Sequence, residues 1–406
     1  MMARWPAILT WPRSDLMRIF FLTSTPPIPT WGGAMAFYRH FVEQEGFEVA
    51  VATDYPGMAN FKVPYEVTLF DTPAWVRRLQ KTRLSPWVHG FQHLYGGISI
   101  PPHVLAAARR FKPDLILTVA GSWNWSTDMA RQLARKLKVP LVGSFNDWYD
   151  YGIIIHPSLK PALEARFRQF YRDCDLALCT CEGMRAELGP HPNALLHYPS
   201  GARMTPAPAR VRTGPFRVLF GGNLGDWYGR MLEDLVTTAR AQSTREIEFV
   251  FFGSNPSWSA EFDAYARAQG IFRGQVPFEK LREEALASDC LLLPMGFADK
   301  DAQVERTSFK TKFLDYITFQ RPILVWGPDY SSAVKTAREF DSAAVCTSPE
   351  GGECLKQILA LYLDPKRQET LVAHARKMYD DRFNPDKIHQ TFLYACQDVV
   401  DEGFRP

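Results

Sequence analysis

Short apolar runs alternate with amphipathic stretches along this chain in a regular order. "MRIFFLT" from Met17, "FEVAVAT" from Phe47 and "YEVTLFD" from Tyr65 read as strands. Between the first two lie the turn "PTWGG" and the helical pattern "AMAFYRHFVEQEG". "PPHVLAAARRFKPDLILTVAG" and "DMARQLARKLKVPLVGSFND" each read as a helix feeding a strand, "CDLALCTCEGMRAELG" as a strand and helix, and "ALLHYP" as a last strand. The aromatic and basic stretch from Trp75 to Gly97 reads as irregular. Strands alternating with helices in this way build parallel sheets covered on both faces.

From Tyr198 to Pro215, "YPSGARMTPAPARVRTGP" has no apolar period and is rich in Pro, Gly, Ala and Arg, as a linker is. The alternation then restarts with "FRVLFGGNLG", "IEFVFFGSNP", "GIFRGQVP", "DCLLLPM", "PILVWGP" and "SAAVCTS" as strands separated by helices, and two helices close the chain. The pattern predicts an α/β protein of two doubly wound, Rossmann-like domains, residues 17–200 and 215–385, joined by a linker at 201–214. Residues 1–16 form an N-terminal extension and 386–406 a terminal helix. No repeat of solenoid period is present.

Length agrees with this division, since 406 residues exceed one ordinary core. Lys and Arg exceed Asp and Glu by only three, so no strong overall field points to nucleic acid, and any basic site is local. The seven cysteines offer only a C-x-C at Cys179 and Cys181, neither a zinc spacing nor an even disulfide set, and read as reduced thiols of a cytoplasmic protein. The N-terminus lacks the ~18 apolar residues of a membrane span and the cleavage site of an export signal.

Candidate chemistry begins at "RTSFKTKFLDYITFQRPILVWGP" from Arg306. Its helical run carries Lys310 and Lys312 at the start, where a cation is unfavourable by ~0.3–1 kcal/mol and a bound anion is favourable. Thr307 or Ser308 is expected to cap this helix, with Asp315 one turn in. "FRVLFGGNLGDWYGRM" sets Gly221, Gly222 and Gly225 between a strand and a helix, where backbone can approach a ligand. Asn223 and Asp226 break the dinucleotide fingerprint. Gly253 and Gly274 are expected at two further strand ends of the same crevice. Trp123, Trp125, Trp148 and Tyr149 lie on expected turns beside Asp147, an arrangement suited to stacking and hydrogen-bonding a sugar. His156 reads as structural. The pairs Asp173/Asp175 and Asp299/Asp301 read as lacking the oxygen cage a metal needs, so no metal is expected. "AWVRRLQKTRLSPWVHGFQHLYGG" mixes Trp75, Trp87, Phe91 and Tyr95 with Arg77, Arg78, Lys81 and Arg83, either as a solvated face over the core or as a peripheral contact with an anionic membrane.

These motifs resemble those of the nucleotide-sugar-dependent glycosyltransferases with the two-domain B fold, particularly the large retaining family 4. "FGGNLGDWYGR" is similar to the family's glycine turn, "GIFRGQVPFEKLREEALASDCLLLPM" to its strand-helix-strand segment, and "SFKTKFLDYITFQRPILVWGP" to its pattern "P-x-K-x-x-E-Y-l-a-x-G-r-P-V-v". The resemblance implies two domains facing across a cleft, with the C-terminal helix crossing back to the first. It implies metal-independent hexosyl transfer with retention, and no cofactor beyond a uridine or guanosine diphosphate sugar as co-substrate. By the same resemblance the donor contacts are Gly32, Gly33, Gly222, Asn223, Arg230, Gly253, Gly274, Val276, Lys310, Thr311, Lys312 and Asp315, with Asp315 on the ribose. Acceptor contacts are the four aromatic residues above, and Asp147, Lys312 and Glu305 are the catalytic candidates. The acceptor is a glycan, a lipid-linked glycan or a small molecule. This sequence departs from the family pattern at Asn223 and Tyr228, where a basic pair is common, at Thr307, which replaces the first acidic residue and leaves Glu305 two positions early, and at Gln320, which replaces Gly. A nucleotide-sugar epimerase of the same fold and a catalytically silent nucleotide-sugar-binding protein are the alternative readings.

Overall fold

The structure, a computed structural model, describes residues 16–30, 32–121, 125–208, 211–225 and 228–404. The chain divides into two compact units. One holds the residues up to Thr180, Leu188–His197 and those from His389 on; the other holds Cys181–Glu187 and Tyr198–Ile388.

In the first unit β1 (Met17–Leu22), β2 (Phe47–Thr53), β3 (Glu66–Leu69), β4 (Leu115–Ala120), β5 (Leu141–Phe145), β6 (Leu176–Cys179) and β7 (Ala194–Leu196) form one sheet in the order β3-β2-β1-β4-β5-β6-β7. Every neighbouring pair is parallel. The strands are apolar throughout because helices cover both faces: Ile19, Phe21, Val49, Val51, Leu115 and Leu117 are all buried. Its helices are α1 (Gly32–Phe41), α2 (Ala74–Leu79), α3 (Ser85–Tyr95), α4 (Pro102–Phe111), α5 (Trp125–Leu137) and α6 (Lys160–Asp173), while α7 (Glu182–Leu188), between β6 and β7 in the chain, belongs almost entirely to the second unit.

In the second unit β8 (Phe216–Asn223), β9 (Ile247–Ser254), β10 (Cys290–Pro294), β11 (Ile323–Trp326) and β12 (Ala344–Cys346) form a parallel sheet in the order β12-β11-β10-β8-β9. Its helices are α8 (Gly229–Ala241), α9 (Ala260–Ala268), α10 (Phe278–Leu286), α11 (Ala302–Thr307), α12 (Thr311–Thr318), α13 (Ser332–Phe340), α14 (Gly351–Leu363) and α15 (Pro365–Met378). Phe216, Phe220, Phe251, Trp326 and Leu355 anchor the core between them. The last helix, α16 (Pro385–Glu402), carries Phe392, Leu393, Cys396 and Val399 into the core of the first unit, where burying a side chain of this size contributes about 1.5–3 kcal/mol.

Both doubly wound α/β arrays expected from the alternation are present. Three local expectations are not met. The stretch from Trp75 to Gly97 is helical: Pro86 stands in the first turn of α3, where a missing backbone N–H costs nothing. "GIFRGQVP" forms no strand, only an isolated bridge between Phe251 and Phe272. The alternation predicts no helix at α6, yet Leu163, Phe167, Phe170 and Tyr171 give it a buried face at helical spacing. Residues 201–208 and 211–213 form neither helix nor strand. Part of this segment is tied to the second unit by Gln320 Nε2, which donates to the Thr205 carbonyl at 2.7 Å, and by Arg321, which donates to the Pro208 carbonyl at 2.9 Å.

Candidate functional site

The second sheet reverses its winding between β8 and β10, and a doubly wound sheet opens a ligand crevice at such a point, beyond the carboxyl ends of its strands. The ladder between these two strands ends at Leu219 and Leu291. Past it β8 continues with β9 alone as far as Asn223, and β10 continues with β11 as far as Pro294. The central strands therefore part, and the start of α12 lies at the gap. The Gly221 N–H donates to the hydroxyl of Tyr316 at 3.0 Å, fixing α12 to β8.

Lys312 lies one turn before Tyr316 and packs on the next residue of β8. A Cβ at Gly222 would stand 2.1 Å from Lys312 Cε and 2.7 Å from Nζ, so only glycine leaves room for the lysine in this place. No carboxylate among the described residues lies within ion-pair distance of the Lys312 ammonium. Burial, aided by the nearby Lys310 charge and opposed by Asp315, pulls its pKa down to about 8. A group that loses charge stability when dehydrated, at a helix start rich in N–H groups, is stabilised by an incoming anion.

Lys310 caps α12 by position, but no side chain caps this helix. The expected caps do other work: Thr307 Oγ1 donates to the Gln303 carbonyl at 2.8 Å, and the Ser308 carbonyl accepts from Ser332 Oγ. The Lys310 ammonium pairs with Glu305 at 3.2 Å. Glu305 is fully buried, and its other carboxylate oxygen accepts the Gly296 N–H at 3.0 Å, just past the end of β10. Burial raises the Glu305 pKa, against the opposing pull of Lys310 and the Gly296 N–H. The position two residues early in the sequence is thus the one whose carboxylate reaches the gap, whereas Thr307 turns back into its own helix. Glu305 pairs with Lys310, and Lys312 is the ammonium of this cluster that has no ion pair among the described residues.

The glycine ends gather beside it. Gly253 pairs with Gly222 in the β8–β9 ladder, and a Cβ at Gly253 would lie 1.7 Å from the Gly222 carbonyl oxygen. The Gly253 N–H donates to the Gly274 carbonyl at 2.9 Å, which brings Gly274 to the same rim although no strand leads to it. The Asn223 side chain accepts the Gly225 N–H at 3.2 Å and so shapes the turn. Arg230 is exposed in the first turn of α8, Val276 is partly buried, and Thr311 and Asp315 lie within the first five residues of α12.

In the first unit the described members of the expected aromatic platform are buried. Trp123 lies outside the described residues. Trp125 is buried at the start of α5 with its ring edge-on to Phe70, centroids 5.2 Å apart. The helix α6 takes the faces of the other two: Trp148 packs on Phe167 at 5.2 Å with the Arg168 guanidinium over its ring, and Tyr149 also meets Phe167. Asp147 follows β5 and is partly buried; Gly121 at the end of β4 sits so close that a Cβ there would lie 2.9 Å from the Asp147 carbonyl oxygen. Gly32 and Gly33 open α1 and are exposed, with no crowding that requires glycine at Gly33. His156 stacks on Trp87 at 3.8 Å. Of the acidic pairs, Asp173 binds Arg131 at 2.5 Å and Asp175 accepts the Leu141 N–H at 2.8 Å. Among the described residues no three His, Cys, Asp or Glu side chains converge as metal ligands, all seven cysteines are buried without disulfides, and no helix is long and apolar enough to cross a membrane.

Residues 34–193 match the family model described as the glycosyl transferase 4-like domain. That stretch is similar to the family's domain, and the chain as a whole has the glycosyltransferase B fold. Solved structures agree on the fold across nearly the whole length of the chain. A glycosyltransferase from Rickettsia africae ESF-5 superposes with a TM-score of 0.62 at 10% identity, covering 95% of this chain and 99% of that one. Anabaena HepE in complex with UDP and glucose gives 0.62 at 13% identity, covering 94% and 100%. The lipopolysaccharide outer core galactosyltransferase WaaB gives 0.57 at 13% identity, covering 94% and 99%. Comparison with curated proteins finds no match.

Proposed function

We propose that this chain transfers a sugar from a nucleoside diphosphate sugar to an acceptor hydroxyl, with the diphosphate held on the second unit. The observation that carries the reading is the seat of Lys312 on Gly222, at the carboxyl end of β8 and the start of α12. A departing diphosphate carries the charge that builds up in the transition state, and one dehydrated ammonium with helix-start N–H groups stabilises it without reorganisation. Lys312 is the group that meets the leaving diphosphate. Lys310 is held by Glu305, which acts here as its orienting partner rather than as a proton carrier. Asp315 takes the ribose hydroxyls, and Gly222, Gly253 and Gly274 let backbone approach the nucleotide. Arg230 adds an exposed cation at the rim. Uridine diphosphate is the favoured carrier, supported by the complex of HepE with UDP and glucose. Retention of configuration and independence from metal follow from the family resemblance, and Asp147 is the candidate base on the first unit. The acceptor is a glycan, lipid-linked glycan or small molecule.

A thermal-shift screen of uridine, guanosine and adenosine diphosphate sugars tests this, repeated on Lys312→Ala and Asp315→Ala. A donor that stabilises the wild type and is weakened by both substitutions is the expected result. A donor that binds tightly and ignores both would overturn the site.

A further inference from the structure

No aspartate or glutamate occurs from Thr72 to Pro113, a stretch that contains Arg77, Arg78, Lys81 and Arg83. In the fold this acid-free segment becomes α2, α3 and α4 of the first unit, and around α2 and α3 it leaves large apolar side chains in solvent: Trp75 is 65% exposed, Leu84 49%, Phe91 47% and Tyr95 56%. Phe91 and Tyr95 are stacked along α3 with centroids 6.2 Å apart, and Trp87 continues the row at 6.0 Å from Phe91. These positions recur every four residues, so they form one stripe of the helix. Gln92 ties the pair of helices together, bonding Gln80 at 2.5 Å and Thr72 at 3.1 Å. Arg77 is paired with Asp71 at 3.3 Å, whereas Arg78, Lys81 and Arg83 are exposed cations.

Large aromatic side chains exposed together on a pre-formed surface mark a binding face. The three exposed cations among them, beside an Arg77 already offset by Asp71, select an anionic partner. Aromatic rings and basic side chains are the pairing that settles at the headgroup level of a bilayer, rings in the interface and charges on the phosphates. A helix of six residues and one of 11 cannot span, but they can lie flat. We infer that α2 and α3 form a docking surface for an anionic lipid bilayer, with Trp75, Phe91 and Tyr95 entering the interface and Arg78, Lys81 and Arg83 meeting lipid phosphates. This surface is built from residues the donor site does not use, so it stands or falls separately from the transferase reading.

The test is co-sedimentation of the full chain with phosphatidylcholine vesicles, with and without phosphatidylglycerol, at low and high salt. Each cation near such a surface strengthens binding about fivefold, so the triple variant Arg78→Glu, Lys81→Glu, Arg83→Glu loses at least about a hundredfold in partitioning. Trp75→Ser with Phe91→Ser loses about tenfold or more while the salt dependence stays. All five positions are exposed, and circular dichroism is expected to show every variant folded. Binding confined to the anionic vesicles and lost in both variants supports the surface. Absence of wild-type binding at low salt, or equal binding by the charge-reversed variant, overturns it. Retention on heparin without vesicle binding overturns it too, and assigns the patch to a soluble polyanion.

Discussion

Replacing Gly222 with alanine tests how Lys312 is held, because the new methyl group would occupy the place of the lysine. The Cβ would meet Lys312 Cε at 2.1 Å and Nζ at 2.7 Å, and the far end of a flexible side chain is what must move. The backbone at Gly222 has φ +157°, a conformation that costs an L-residue about 1–3 kcal/mol. The fold therefore survives with a moderate loss of stability while the ammonium is driven from its seat. A hydrogen bond to a charged group contributes about 1.5–3 kcal/mol, so losing the lysine–phosphate contact weakens binding by roughly 10–150-fold. Isothermal titration with UDP reads this directly, with Lys312→Ala and the double variant completing a cycle. Because both changes act on one contact, the double variant should bind no more weakly than Lys312→Ala alone. Gly352→Ala in α14 is the control, since its Cβ meets only Thr238 at an ordinary 3.7 Å. If Gly222→Ala binds UDP as the wild type does while Lys312→Ala does not, the lysine reaches the phosphates from another position and the argument from its seat is refuted.

Two further outcomes follow from the same cluster. UDP affinity should fall as pH rises through about 8, where the free protein begins to lose the Lys312 proton; stability of the free protein runs the other way, since the folded state releases this proton before the unfolded state does and the burial penalty fades between about pH 8 and the ordinary lysine value of 10.5. Titration calorimetry and urea melts across that range check both signs. Glu305→Gln removes the partner of Lys310 while keeping an acceptor for the Gly296 N–H, so the free protein should lose about 3 kcal/mol or more in urea unfolding, and UDP should bind at least as tightly because Lys310 is released to the phosphates.

The two α/β arrays were legible because strands buried on both faces are apolar throughout, as "MRIFFLT" and "DCLLLPM" show, and because amphipathic crossovers separate them. Elsewhere a local signal points the wrong way. Pro86 suggested a break in structure but occupies the first turn of a helix, where proline is tolerated. "GIFRGQVP" had the apolar start and glycine of a strand, yet only Phe272 finds a partner. At the candidate site the lysines were visible from helix polarity alone, but their division of labour was not. Lys310 and Lys312 look equivalent in sequence, and only the fold brings Glu305 to one and Gly222, some ninety residues upstream, to the other. From their place after a strand Trp148 and Tyr149 offer free faces, but α6, which the alternation does not reveal, covers them.

A diphosphate received by the Lys312 ammonium would be felt at that amine itself. Reductive methylation with carbon-13 formaldehyde gives each lysine a resonance that reports its protonation, and Lys312→Arg identifies the one in question. In the free protein that resonance should titrate near pH 8, and saturating UDP should move its midpoint upward toward the ordinary lysine range. A resonance that keeps both its shift and its midpoint in the presence of bound UDP would contradict the account.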